Sequence, residues 1–126
     1  MATTCVALVD DEAPVRRALG RLLRLAGHEV LSFESGQGFL DSLPTRRPDC
    51  VLLDIQMPGL TGLQVRERLR AMLPTLPVVF ITGGDDPELA KQALAGGAIG
   101  LLRKPFSRRE LLDMLASALR PPTQRC

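Results

Sequence analysis

The sequence predicts an α/β protein: five strands alternating with five helices, one parallel sheet layered between helices. Three observations predict it. Continuous apolar runs of strand length occur at Cys5 to Val9, Cys50 to Leu53 and Val78 to Ile81, which suits strands buried on both faces. Apolar residues recur at helical spacing between the runs. Each run ends abruptly in polar residues or turn formers, as strands do when right-handed crossovers return the chain to one sheet. With 126 residues the chain is long enough for one domain and too short for two.

The elements follow in order. Cys5 to Val9 ends at Asp10-Asp11-Glu12. Pro14 then suits a first helical turn. Val15, Ala18, Leu19, Leu22, Leu25 and Ala26 make the apolar stripe of the first helix, and Gly27 stops it. Val30 to Phe33 reads as a more polar strand at the sheet edge. Ser35 caps a short helix through Leu43, weakened by Gly36 and Gly38. Pro44 and Pro48 bound a loop. The central strand, Cys50 to Leu53, runs into Asp54, and the Pro58-Gly59 turn follows. Gly62 to about Met72 forms the third helix, with Val65, Leu69, Met72 and Leu73 on one face. Val78 to Ile81 leads into Thr82-Gly83-Gly84. Asp86-Pro87 starts a helix to about Ala95. Ile99 to Leu102 is the last strand, before Arg103-Lys104-Pro105. Ser107 and Glu110 have capping-box spacing. Leu111, Leu112, Leu115, Ala118 and Leu119 stripe the final helix, and Pro121-Pro122 ends the fold.

Composition narrows the function. The chain is 45% hydrophobic and 24% charged, a globular balance rather than a disordered one. No apolar run nears the roughly 18 residues that span a bilayer, and no signal peptide is visible, so a cytoplasmic location is expected. A net charge of +2 with no Trp or Tyr argues against direct nucleic-acid binding. Cys5, Cys50 and Cys126 show no metal or disulfide spacing and read as structural. His28 is the only histidine, so a His-based metal site or a Ser-His or Cys-His pair is excluded. Arg17, Arg21 and Arg24 share one helix face, which reads as solvated unless a partner docks there.

The strand ends carry the chemistry. Asp10 and Asp11, Asp54, Thr82 and Lys104 each stand at the carboxyl end of a predicted strand, the edge where open α/β sheets bind ligands. Taken singly, each has an ordinary explanation: Asp10-Asp11 as helix capping, Asp54 and Thr82 as turn residues, Lys104 as a surface cation. All sharing one edge is harder to explain that way. Like charges about 4 Å apart repel by roughly 4 kcal/mol at an effective dielectric near 20, so the carboxylates need a positive partner. A hard cation such as Mg²⁺ suits oxygen ligands and leaves positions for phosphate oxygens. Lys104 adds a mobile positive charge and Thr82 a hydroxyl donor. These are the parts for phosphoryl transfer with Asp54 as nucleophile.

Val9-Asp10-Asp11-Glu12, Leu53 through Gly62, Ile81-Thr82-Gly83 and Gly97-Ala98 through Lys104-Pro105-Phe106 together resemble the receiver domain of two-component response regulators. The resemblance covers essentially the whole chain. Ile81-Thr82-Gly83 and Lys104-Pro105-Phe106 are similar to the branch that regulates nitrogen fixation and carries a helix-turn-helix output. The resemblance implies a flavodoxin-like (βα)5 three-layer sandwich with strand order 2-1-3-4-5 and a cis bond at Lys104-Pro105. It implies a receiver domain over 1–120, with 121–126 as a tail or the start of a linker. Asp54 would accept a phosphoryl group from a sensor histidine kinase. Asp11, Asp54 and the Gln56 backbone carbonyl would hold Mg²⁺, with Asp10 acting mostly through water. Thr82 and Lys104 would bind phosphoryl oxygens. Such a domain is a phosphoacceptor rather than an enzyme proper, although it can take phosphoryl groups from small donors and lose its own. Gln56 and Gly84 would flank the attacking water. The last two helices and last strand would form the switched surface and a homodimer contact.

One position departs from the family pattern. A ring usually turns inward on the last strand, and here the matching residue is Leu101. A muted output change is expected, and a phosphorylation-independent interaction module is the alternative function. A haloacid-dehalogenase-like phosphatase would want an acid where Gln56 stands. A flavin protein would meet repulsion between its phosphate and Asp10-Asp11-Glu12.

Overall fold

The computed structural model describes residues 3–84 and 86–119. Strands β1 (Cys5–Val9), β2 (Glu29–Phe33), β3 (Cys50–Asp54), β4 (Val78–Thr82) and β5 (Gly100–Arg103) alternate with helices α1 (Ala13–Leu25), α2 (Gly36–Ser42), α3 (Gly62–Met72), α4 (Pro87–Ala95) and α5 (Arg108–Ala118). All strand pairs are parallel, and the sheet runs β2-β1-β3-β4-β5. The polar strand β2 is at the edge, as expected. The stop at Pro121-Pro122, the tail 121–126 and Cys126 lie outside the described residues.

Side chains of a strand alternate between faces, and here the alternation divides the core in two. Ala7, Val9, Val51, Leu53 and Phe80 pack with Phe39, Leu40, Val65, Leu69 and Ala93, from α2, α3 and α4. Val6, Leu8, Leu52, Val79 and Ile81 pack with Leu19, Leu23, Leu111 and Leu115, from α1 and α5. Both faces of β1, β3 and β4 are therefore covered, which is why their sequences are apolar throughout.

Four of the five helix starts follow their expected signals: Pro14 lies in the first turn of α1, and three others are capped as expected. Ser35, Asp86 and Ser107 each accept a backbone N–H through the side chain, and Ser107 with Glu110 closes a capping box. A second box, Thr61 with Gln64, opens α3; its T-x-x-Q spacing was present but masked by the flanking glycines. At the end of α1 the cap residue is Ala26, and Gly27 follows at φ 95°, a backbone region glycine enters at low cost.

Several local expectations change. Ala18 and Leu25 are exposed, Leu25 by 72%, because the inner arc of α1 is set by Leu19, Gly20 and Leu23. Leu25 lies two residues beyond Leu23, about 200° around the helix. On α3 the inner arc is Gly62, Val65, Arg66 and Leu69, one stripe at i, i+3, i+4 and i+7; Arg66 is buried, while Met72 at the helix end is open. The last strand is shifted by one residue from the expected Ile99–Leu102. β3 and β4 reach one residue past their apolar runs, because Asp54 pairs with Ile81 and Thr82 with Arg103. Lys104-Pro105 is cis, as the resemblance implies. Among the described residues no helix is long and apolar enough to cross a membrane.

Candidate functional site

Parallel strands bring all their carboxyl ends to one side, so register alone assembles the site. Val9 pairs with Leu53, which sets Asp10 beside Asp54. The Asp10 N–H donates to the Phe33 carbonyl (3.1 Å), the Ile55 N–H to Ile81 (2.9 Å), and the Lys104 N–H to Thr82 (2.8 Å). Each functional residue is thus tied to its neighbouring strand by backbone. Asp10, Asp54 and Thr82 are buried, and Lys104 is half-buried.

The turn behind Asp54 closes tightly. The Gly62 N–H donates to the Ile55 carbonyl at 2.9 Å. A Cβ on Gly62 would meet the Asp54 carbonyl oxygen and stand 2.8 Å from the Ile55 Cα, closer than atoms pack. Glycine there lets α3 begin against the backbone of the strand end.

Lys104 Nζ stands among three carboxylates: 3.1 Å from Glu12 Oε1, 3.2 Å from Asp10 Oδ2 and 3.8 Å from Asp54 Oδ2. Burial pushes the Asp54 carboxyl up to about 6. Lys104 opposes that rise, while Asp10 and, more weakly, Asp11 add to it. Burial also works against the Lys104 ammonium, but Asp54, Glu12 and Asp10 outweigh it and raise its pKa. The Gln56 N–H donates to Asp54 Oδ1 at 3.3 Å, and the Glu12 N–H to Asp10 Oδ1 at 2.8 Å. Asp10 Oδ2 is buried with no hydrogen-bond donor among the described residues; its approach to Lys104 has the distance of an ion pair without the alignment.

This arrangement fits a divalent cation. Oxygens of Asp10, Glu12 and Asp54 lie within 4.8 Å of one another. Set against one ammonium, they leave two negative charges, and Asp10 Oδ2 has no hydrogen-bond donor among the described residues. Hard oxygen donors of this kind suit Mg²⁺. The third member of the close trio is Glu12, whereas the sequence reading placed Asp11 in the ligand set. Asp11 is exposed and outside the trio, yet near enough to act on Asp54. Glu12 was legible only as part of the acidic run.

The remaining predicted residues are placed as follows. Thr82 Oγ1 accepts the Gly84 N–H at 3.2 Å. Gln56 is exposed, and its side-chain amide would stand 3.4 Å from a Cβ on Gly84, so the two do adjoin. Leu101 is half-buried against the α2–α3–α4 face of the core. Arg17, Arg21 and Arg24 are exposed. Cys5 and Cys50 are buried and free, and burial pushes the Cys50 thiol up to about 12, which makes it an inert small hydrophobe. His28 is partly buried, and Thr4 Oγ1 is its hydrogen-bond partner.

The sequence reading missed Arg66. Its guanidinium lies 5.2 Å from the centre of the Phe80 ring, and it donates to the Ala93 and Gln92 carbonyls at the end of α4. Arg70 donates to the Gly96 carbonyl just beyond α4 (3.0 Å). Ala93 is the one residue of α4 that is fully buried, and these contacts tie the end of that helix to α3.

A family model described as response regulator receiver domain matches residues 6–116. The chain is 40% identical over 113 residues to the transcriptional regulatory protein FixJ of Bradyrhizobium diazoefficiens, covering 90% of this chain and 55% of that protein. Among solved structures it is similar to a response regulator receiver protein from Burkholderia phymatum, with a TM-score of 0.83 and 43% identity, covering 95% of this chain and 99% of that one. It is also similar to full-length FixJ from B. japonicum, with a TM-score of 0.89 and 37% identity, covering 98% of this chain and 62% of that one. The chain spans about half the length of the curated relatives it matches.

Proposed function

The chain belongs to the response regulator receiver domain family, and from that premise we propose that it is a phosphorylation switch with Asp54 as acceptor. One Asp54 carboxylate oxygen attacks the phosphorus of a phosphohistidine on a sensor histidine kinase. The new O–P bond forms as the P–N bond breaks, and the imidazole leaves, taking up a proton from solvent. Thr82 and Lys104 receive the phosphoryl oxygens as negative charge spreads over them. Asp10, Asp11, Asp54 and the Gln56 carbonyl would hold Mg²⁺, with Glu12 at the rim. Bound there, the ion supplies neutralisation of the phosphoryl charge.

The observation that carries this reading is the convergence of buried Asp54, buried Asp10 and Lys104 at one sheet end, with Lys104 Nζ 3.8 Å from Asp54. Asp54 is mostly ionised at neutral pH, since its carboxyl titrates near 6, and so is ready as a nucleophile. A donor protein has an approach: an apolar groove of about 450 Å³ between α1 and the Lys104–Phe106 segment, lined by Ala18, Leu22 and Phe106. Phosphorylation turns the Asp54 carboxylate into an acyl phosphate carrying about −1.5 to −2 charges in its place and would bias the surface of α4, β5 and α5, the expected homodimer contact. By analogy with FixJ, the output is control of transcription.

The experiment is intact mass after incubation with acetyl phosphate, with and without Mg²⁺, on wild type and Asp54→Asn. One phosphoryl adduct needing both Mg²⁺ and Asp54 is expected. No adduct on folded protein with Mg²⁺ present would leave the phosphorylation-independent interaction module, which half-buried aliphatic Leu101 favours.

A further inference from the structure

Glu12 occupies the N-cap position of α1 but makes no side-chain capping bond. Glutamate is a poor cap there compared with Ser, Thr, Asp or Asn. Its backbone N–H orients the Asp10 carboxylate, and its side chain reaches across the sheet end to Lys104, 92 residues away. Of the three carboxylates around Lys104 Nζ, Glu12 is nearest and Asp54 farthest. The Glu12 side chain is 61% exposed, against 4% for Asp54.

We propose that Glu12 is a positioning residue that parks the Lys104 ammonium at the rim of the site. The inference rests on the reading of Asp54 and Lys104 as the phosphoryl-transfer pair. Without Glu12, the ammonium has among the described residues only Asp10 and Asp54 to pair with, and it settles between them. There it opposes a divalent cation by like-charge repulsion and covers the attacking oxygen of Asp54. Held by Glu12, it stays one short movement away. An exposed ion pair biases such an equilibrium only about two- to fivefold, so negative charge arriving on Asp54 releases it easily. Glu12 thus acts through Lys104, not as a group that touches the reacting atoms.

The chain has two lysines, Lys91 and Lys104. Protein carrying ¹³C-labelled lysine therefore gives two Cε signals, assigned with Lys91→Arg, and Lys91 on exposed α4 is the internal control. In metal-free protein, Glu12→Gln is expected to move the Lys104 signal and leave that of Lys91 in place. In Mg²⁺ titrations Glu12→Gln is expected to raise the half-saturating concentration two- to fivefold, and at most half that factor when Lys104 is already Met. An unmoved Lys104 signal overturns the proposal. So does an equal Mg²⁺ penalty in both backgrounds, which would make Glu12 a direct charge on the ion. The lysine signals need neither metal nor phosphodonor, so failure of Asp54 to take a phosphoryl group would be seen separately.

Discussion

Asp54→Asn should stabilise the metal-free protein at neutral pH. The folded-state carboxyl titrates near 6, against an ordinary value of 3.8, because it is buried and Lys104 offsets only part of that cost. A carboxyl raised on folding binds its proton more tightly in the folded state. Its contribution is therefore fully present below about pH 4 and is lost as pH rises through 6. A shift of about two units at 1.36 kcal/mol each gives a penalty approaching 3 kcal/mol above pH 7. Asparagine keeps an oxygen for the Gln56 N–H and carries no charge, so it escapes the penalty. We expect Asp54→Asn to be more stable than wild type by about 1–3 kcal/mol at pH 7.5 in chelator, with the difference vanishing towards pH 4. Urea unfolding followed by circular dichroism at several pH values measures it, since the chain has no Trp or Tyr. Saturating Mg²⁺ should shrink the gap by stabilising wild type. A variant that is less stable at pH 7.5, or a difference that stays constant from pH 4 to 8, would refute the electrostatic account of this site.

Other perturbations test the framework around Asp54. Gly62→Ala forces a Cβ against the Asp54 carbonyl and the Ile55 Cα, and overpacking of this kind costs about 1–3 kcal/mol, readable in the same unfolding curves. Arg66→Met takes the guanidinium donor from the buried end of α4, leaving the Ala93 carbonyl without it while Gln92 keeps the Gly96 N–H, at about 1–3 kcal/mol. Hydrogen exchange should localise the loss to α4, and uniform loss across the sheet would contradict the assigned role. Gly84→Leu places bulk against the Gln56 amide and should lengthen the lifetime of the phosphorylated protein in a mass-spectrometric chase. An unchanged lifetime would show that water reaches Asp54 by another route.

The order of elements was fixed locally, because each signal is a short-range property. Apolar runs marked β1, β3 and β4, since a strand covered on both faces needs no polar residue. Ser35, Asp86 and Ser107 announced their helices, since a cap satisfies backbone donors only a few residues ahead. Asp54, Thr82 and Lys104 were legible as polar residues at strand ends, and parallel pairing necessarily gathers such ends on one side.

Tertiary structure decided what depends on distance and burial. That Glu12 rather than Asp11 joins the close trio follows from which side chain points at Lys104 across 92 residues. That Arg66 is buried while Leu25 is open follows from where the sheet lies beneath each helix, and a linear pattern of apolar letters does not carry that. The acidity of Asp54 is likewise a property of the assembled site: it comes from the water removed around it and the one ammonium left beside it. Sequence determined which groups meet at the sheet end; only the packed structure determined which of them touch, and with what charge.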